Sequence, residues 1–347
     1  MLSGIDVKSL YLTELKSEIV NLNLQTFRAQ QIYQWLHVNG ASSFDQMTNI
    51  SKQLRDTLSN YFHIFNCEIE KKFVSQIDGT VKYLYRLNDG EYIEAVLMKY
   101  KYGYTLCIST QVGCKMGCEF CASGKGGFVR NLTPSEMLSQ IHTAQNDMNV
   151  RVSHIVLMGM GEPLDNYKNV LKFLKLVSDS NGLNIGMRNI TISTSGLVDR
   201  IYDLLSENLQ LTLSVSLHAP NDRIRNSIMP INRKYPIDDL LSACRRYAQI
   251  TSRRVSFEYA MINGLNDSAE DAKELSQKIE GIHCHVNLIP INNIKENNFR
   301  KSSTERLKKF LSVIRSNGIN VTVRRSLGSD IDASCGQLRS RHQKGEV

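Results

Sequence analysis

The 347-residue sequence has no apolar run approaching the roughly 18 residues that a membrane-spanning helix requires. Its first twenty residues, MLSGIDVKSLYLTELKSEIV, mix acids with lysines and lack the apolar core of a secretory signal, so a cytoplasmic protein with no membrane partner is expected. Neither a repeat of roughly 20 to 50 residues nor a low-complexity tract is present, which argues against a solenoid or a disordered array. The eight cysteines lack the even spacing of a disulfide framework in a small secreted protein, and metal binding or redox chemistry is the better expectation. One further absence is local. In GCKMGCEFCASGKGGF, Cys114, Cys118 and Cys121 fall within eight residues, and no fourth thiol stands beside them.

What is present is an ordinary globular composition, 41% hydrophobic and 22% charged. The length suits one barrel-sized domain of about 200 to 250 residues and a smaller companion. A net charge of +8 permits a polyanionic partner without requiring one. Residues 1–65 read as a helical module: FRAQQIYQWLHVNG puts Ile32, Trp35 and Leu36 on one face before Asn39 and Gly40, and Ser51 is a candidate cap for a helix carrying Leu54, Leu58 and Phe62. Residues 66–102 hold the alternating runs KKFVSQ, VKYLYRL and YIEAVLMKY, separated by Asp78-Gly79 and Asp89-Gly90, the pattern of a hairpin meander. From residue 103 to 347, buried runs (TLCIST, HIVLMG, NITIST, LTLSVSLH, VSFEYAMI, HVNLIP, NVTVRR) alternate with stretches long enough for a helix, predicting a parallel α/β sheet, barrel-like or doubly wound.

Three close thiols after a strand fit two chemistries. Structural zinc takes four ligands, so a C-x3-C-x2-C run could recruit Cys107 or a distant histidine. A four-iron cluster held by three thiolates instead leaves one iron free for a small molecule. Other motifs are weaker alone. MGMGEPL places Gly159 and Gly161 after a strand, where a ligand can approach the backbone, although a tight turn explains such glycines as well. Ser193, Ser216, Leu217 and His218 end strands, and Cys335 in DIDASCGQLR has as its simplest reading an inert buried thiol.

The cysteine run directly after the first strand of a βα array resembles radical S-adenosylmethionine (SAM) enzymes. More closely, FRAQQIYQWL, GCKMGCEFCASGKGGFVRNL, MGMGEPLDNY, ITISTSGL, SLHAPND, MPINRKYPI, VNLIP and DIDASCGQLR together resemble the RlmN-type RNA methyltransferases of the RlmN/Cfr family, across nearly the whole chain. The resemblance implies a partial (βα)6-type barrel with an N-terminal helical domain and a short β-hairpin extension. It implies a [4Fe-4S] cluster on Cys114, Cys118 and Cys121, and SAM bound by Gly161, Glu162, Ser193, Ser216, Leu217, His218 and Asn292. Asn293 departs from the proline that many relatives carry there, and Ser123 replaces a frequent threonine.

In that family the cysteine matching Cys335 accepts a methyl group from one SAM. A radical made from a second SAM removes a hydrogen from this methyl group, and the resulting methylene adds to an RNA base. Cys107 matches the second cysteine, which resolves the protein–RNA link through a transient disulfide, and Glu94 matches the proton acceptor. Such chemistry suits adenine carbon 2, which lies between two ring nitrogens and is too electron-poor to attack SAM's sulfonium. The covalent detour divides one difficult step into easier ones. Implied partners are 23S rRNA, in some members tRNA beside the anticodon, and a low-potential reductant such as flavodoxin; a monomer is expected. Two other readings stand at this point: a Cfr-type enzyme acting at carbon 8, and a non-catalytic, zinc-stabilised RNA-binding protein. Cys67, Cys244 and Cys284 match no motif and read as structural. Basic residues gather at Lys295, Arg300, Lys301, Arg306, Lys308 and Lys309 and at Arg324, Arg325, Arg339, Arg341 and Lys344, with Arg28 and Lys52 in the helical module. They suit RNA phosphates, though charge runs are commonly solvated surface.

Overall fold

The computed structural model describes residues 4–292 and 298–338; Asn293, Lys295, Arg339, Arg341 and Lys344 lie outside them. Ten strands form one sheet: β1 Glu68–Val74, β2 Val81–Arg86, β3 Tyr92–Tyr100, β4 Gly103–Cys107, β5 Val152–Leu157, β6 Ile190–Thr194, β7 Thr212–Ser216, β8 Val255–Met261, β9 Cys284–Pro290 and β10 Val321–Val323. Their spatial order is their chain order. From β4 to β10 every pairing is parallel, whereas β1 to β4 pair antiparallel.

Parallel neighbours need long crossovers, and each of the first six parallel strands is followed by helix. These helices are α4 Pro134–Met148, α5 Tyr167–Val177, α6 Val198–Ser206, α7 Asp222–Ile228 with α8 Ile237–Thr251, α9 Ala269–Lys278 and α10 Thr304–Ser316; α1 to α3 belong to the N-terminal segment. Local sequence sets their starts. At α4, Thr133 and Glu136 exchange bonds as a capping box, and Pro134 occupies the first turn, where its missing N–H costs nothing. Helix-covered strands are apolar on both faces, and β8 is buried at all seven positions. With β1 and β10 as unpaired edges, the barrel is partial, and the meander extends its sheet without a break at residue 102.

The N-terminal helices are α1 Leu12–Asn21, α2 Phe27–His37 and α3 Lys52–Tyr61. Ser51 does cap α3, its hydroxyl accepting from the Leu54 amide. Ile32 and Leu36 are fully buried, while Trp35 packs half-buried against the core and donates its indole N–H to Asn49. The module docks on the barrel helices. The Ser135 hydroxyl donates to Asp6 (2.6 Å), Tyr33 donates to Asp179 (2.7 Å) and Lys172 pairs with Glu14 (2.8 Å). No helix among the described residues is long and apolar enough to cross a membrane.

Candidate active site

The strand ends β5 to β9 open onto a cavity. Residues singled out in the sequence line it: Cys114, Cys118 and Cys121; Gly159, Gly161 and Glu162; Ser193, Ser216 and His218; and Asn292 and Cys335. The distribution follows from topology, because parallel strands deliver the residues at their carboxyl ends to one side of the sheet.

The cysteine loop leaves a small hairpin, Gln111–Gly113 paired with Phe128–Asn131. Gly113 has φ +71°, and a Cβ there would strike the Gly127 carbonyl at 1.9 Å, so only glycine closes the loop. The Cys114 amide donates to the same carbonyl and the Glu119 amide to Ile228. Ala122 and Ser123 then hold the C-terminal segment: the Ala122 amide donates to the Gly336 carbonyl (2.7 Å) and the Ser123 hydroxyl to the Leu338 carbonyl (2.7 Å). Cys335 is thereby fixed at the mouth of the cavity that holds the three thiols.

None of the eight cysteines is in a disulfide. Burial raises Cys114 to about 12, Cys118 well above the ordinary range, and Cys121 as well; neighbouring sulfurs add to the rise at Cys118, and Arg225 opposes it. Three thiolates here require metal cations to balance them. Among the described residues, no group of three or more Cys, His, Asp or Glu surrounds a single ion position. Cys114, Cys118 and Cys121, on one loop and facing one cavity, fit a [4Fe-4S] cluster, which they would hold through their sulfurs.

The remaining residues are held by buried hydrogen bonds. Glu162 accepts from the Ser195 amide (2.7 Å) and the Leu164 amide (3.0 Å), while burial raises its carboxyl. Gly159 and Gly161 serve close packing as well as the cavity wall. A Cβ on Gly159 would lie 2.6 Å from the Ile108 carbonyl oxygen, and one on Gly161 2.5 Å from Gln111 Cβ. His218 adopts a left-handed backbone, φ +56°, rare outside glycine. Its Nδ1 accepts from the Ala260 amide (2.9 Å), which puts the ring proton on Nε2, and burial holds the ring neutral with its pKa lowered to about 3. Asn292 donates to the Cys335 carbonyl (3.4 Å).

Three of the expected site residues do not line this cavity. Leu217 points into the core at 1% exposure and offers the site only backbone, its carbonyl accepting from Arg225. Cys107 lies at the end of β4, in an adjoining cavity with Val96, Met98 and Tyr100. That cavity shares Met158, Ile289, Asn292, Arg324 and Cys335 with the first. Cys335 thus stands where the two cavities meet, and Cys107 occupies the second. Glu94 is buried on the face of β3 that also carries Val96 and Met98, and it pairs with Lys82 (3.5 Å) without lining either cavity. Lys82 also donates to the Asp332 carbonyl, three residues before Cys335.

Two wall residues escaped the sequence reading in their site role, Glu258 and Arg324, the latter noted only as one of several cations. Glu258 is 4% exposed in β8 and lines the first cavity; Arg324 lines both. A carboxylate inside the mostly apolar run VSFEYAMI was the available signal for Glu258. Two of the expected RNA cations are engaged elsewhere, Arg306 with Asp267 (2.6 Å) and Arg324 with Glu258 (3.5 Å). Cys67, Cys244 and Cys284 are buried, as their structural reading requires.

A cysteine cavity at the carboxyl ends of a partial parallel barrel defines the class, a radical SAM enzyme. Residues 108–279 match the radical SAM superfamily, and residues 5–64 match the N-terminal domain of ribosomal RNA large subunit methyltransferases. The chain is 52% identical to a probable dual-specificity RNA methyltransferase RlmN of Alkaliphilus oremlandii, over 97% of this chain and 98% of that one. It is 50% identical to the protein of the same name from Lachnoclostridium phytofermentans, over 97% and 95%. A radical SAM methyltransferase of Sphaerobacter thermophilus superposes with a TM-score of 0.92 at 43% identity, covering 97% of this chain and all of that one. The chain belongs to the RlmN family of radical SAM RNA methyltransferases. It is an RNA-methylating enzyme whose cofactors are a [4Fe-4S] cluster and SAM.

Proposed function

We propose that this enzyme methylates carbon 2 of a specific adenosine in 23S rRNA, and in tRNA beside the anticodon, with Cys335 as the methyl carrier. One observation carries the reading: Cys335 borders both the three-cysteine cavity and the cavity of Cys107. A single sulfur can there meet the methyl donor on one side and a second thiol on the other. The name dual-specificity, carried by the relatives at 50 and 52% identity, supports two RNA substrates.

Cys114, Cys118 and Cys121 would hold the cluster, and SAM would lie against Gly161, Glu162, Ser193, Ser216, His218 and Asn292. Together these groups supply a carbon radical when bound. Among the chain's own residues, Glu162 and His218 provide fixed polar groups in a buried wall, and Cys335 carries the methyl. Cys107 resolves the protein–RNA link by forming a disulfide with Cys335. Glu94, on the same face as the second cavity's wall, takes the proton. A low-potential reductant, a cytoplasmic setting and a monomer complete the proposal.

Nucleoside mass spectrometry after anaerobic reconstitution with iron, sulfide, SAM, reductant and unmodified 23S rRNA or tRNA tests it. The expected product is 2-methyladenosine in both RNAs, absent with Cys335→Ala or Cys118→Ala. Formation of 8-methyladenosine would assign the Cfr-type reaction instead. A colourless, iron-free protein without methylation would favour a zinc-bound RNA-binding protein.

A further inference from the structure

One ion pair, between the buried Glu258 and the partly exposed Arg324, connects the two cavities. Glu258 Oε1 accepts from Ser214 on β7 (2.7 Å), from Asn287 on β9 (3.0 Å) and from Ser256 on its own strand β8 (3.4 Å). Its position is therefore set by three adjacent strands. Its second oxygen lies 3.5 Å from Arg324 Nη1. Arg324 follows β10, and its backbone N–H donates to Leu288 (2.9 Å), so main chain and side chain are both tied. The guanidinium lies against Met158 Sδ (3.5 and 3.6 Å), in the wall shared with Cys107 and Cys335. A buried carboxylate needs a cation, but nothing in that requirement dictates that the cation border the thiols.

We propose that Arg324 is a positioning residue for the resolving thiol: anchored by Glu258, its guanidinium supplies the positive charge beside which Cys107 becomes a thiolate. The role of Cys107 rests on the function proposed above. Burial pushes the Cys107 thiol up to about 12, and Cys335 adds to the rise, whereas Arg324 opposes it. In return the Arg324 guanidinium is held above its ordinary value by Cys335 and, against its own burial, by Glu258, Cys107 and Tyr100. The thiolate is the nucleophilic form, so a thiol at this position needs a neighbouring cation to react near neutral pH. The other groups facing it are Tyr100 from β3, Arg325 beyond β10 and Cys335 from the C-terminal segment; Met158, Ile289 and Asn292 are uncharged, and Lys82, across Val96 in the same row as Cys107, is paired with Glu94.

In the step concerned, Cys107 gives up its proton and its sulfur electron pair forms a bond to Cys335 Sγ. The bond from Cys335 sulfur to the RNA-borne methylene breaks, and its electron pair stays on carbon, which takes a proton to become the methyl product. Two sulfurs are oxidised to the disulfide, and the carbon is reduced by the same two electrons.

The test is alkylation of the intact, anaerobically purified protein by iodoacetamide, followed by mass spectrometry of the Cys107 peptide between about pH 7 and 10. In Arg324→Met, the rate–pH curve of Cys107 is expected to move up by about one unit, an about tenfold slower reaction at a given pH. Arg324→Lys should stay near wild type, and iron content and melting temperature establish that each variant is folded. An unmoved curve in Arg324→Met overturns the proposal, as does Arg324→Lys behaving like Arg324→Met. The assay uses neither SAM nor RNA, so a failure to methylate RNA would count against the proposed function alone. In the full reaction, Arg324→Met should accumulate protein–RNA crosslink that resolves faster as pH rises.

Discussion

Buried histidines carry a cost that the proposed chemistry does not use. His37 is fully buried with neither ring nitrogen hydrogen-bonded, and burial lowers its pKa to about 3; burial also lowers His218 to about 3 and His142 well below its ordinary value. A folded-state pKa below the unfolded one means that the unfolded chain binds more protons, so stability is full above about pH 6.5 and falls as pH drops toward 3. The melting temperature should therefore decline steadily from pH 7 to 5. His37→Leu, which removes two unsatisfied nitrogens, should flatten that decline, and an unchanged slope would show that His37 is protonated in the fold. At this scale the sequence was readable where a residue type has one main use. The bunched thiols announced a metal site, and Cys107, Cys335 and Glu162 were found by their surroundings in motifs. Glu258 was not, because what keeps it in place comes from Ser214 on β7, Asn287 on β9 and Arg324 just beyond β10.

At the scale of elements, the junction between the cysteine loop and the C-terminal segment is the part most exposed to a small change. The Ser123 hydroxyl holds the Leu338 carbonyl, and a side-chain hydrogen bond of this kind is worth about 1 kcal/mol. Ser123→Ala should lower the methylation of Cys335 about fivefold while leaving bound iron unchanged, whereas Ser123→Thr keeps the hydroxyl and the rate. Peptide mass spectrometry and an iron assay separate the two effects; loss of iron together with methylation would mean that the hydroxyl holds the loop and not the segment. Gly161→Ala is a harsher change. With φ +98° and Gln111 Cβ 2.5 Å from the new methyl, it should cost about 2 kcal/mol or more in stability and abolish SAM binding, measured by thermal unfolding and equilibrium dialysis. The strands themselves were legible, since hydrophobic runs and turn pairs mark them locally. Less legible was the dual duty of Gly159 and Gly161, because the contact with Ile108 and Gln111 exists only once β4 and β5 are paired.

For the whole molecule, one continuous sheet joins the meander to the barrel, so Glu94 and Lys82 on the extension lie on the same face as the wall around Cys107. Sequence periodicity gave the alternation of Glu94 but not its partner, which comes from the antiparallel register between β2 and β3. The excess of positive charge is also redistributed by folding. Arg306 and Arg324 are paired with acids, while Arg325 is exposed at the second cavity. Arg325→Ala should weaken RNA binding and reduce the salt dependence of the binding constant by about one phosphate contact, and Arg306→Ala should leave that slope unchanged. Filter binding over a range of salt concentrations decides between them; equal slopes for both variants and wild type would remove Arg325 from the RNA face.

The central claim is that Cys335 carries the methyl group, and the mass of its peptide tests that claim most directly. After incubation of the reconstituted enzyme with SAM and reductant, before any RNA is added, the Cys335 peptide should carry one methyl group and the Cys107 peptide none. An unmodified Cys335 in a preparation that nevertheless methylates adenosine would contradict the account.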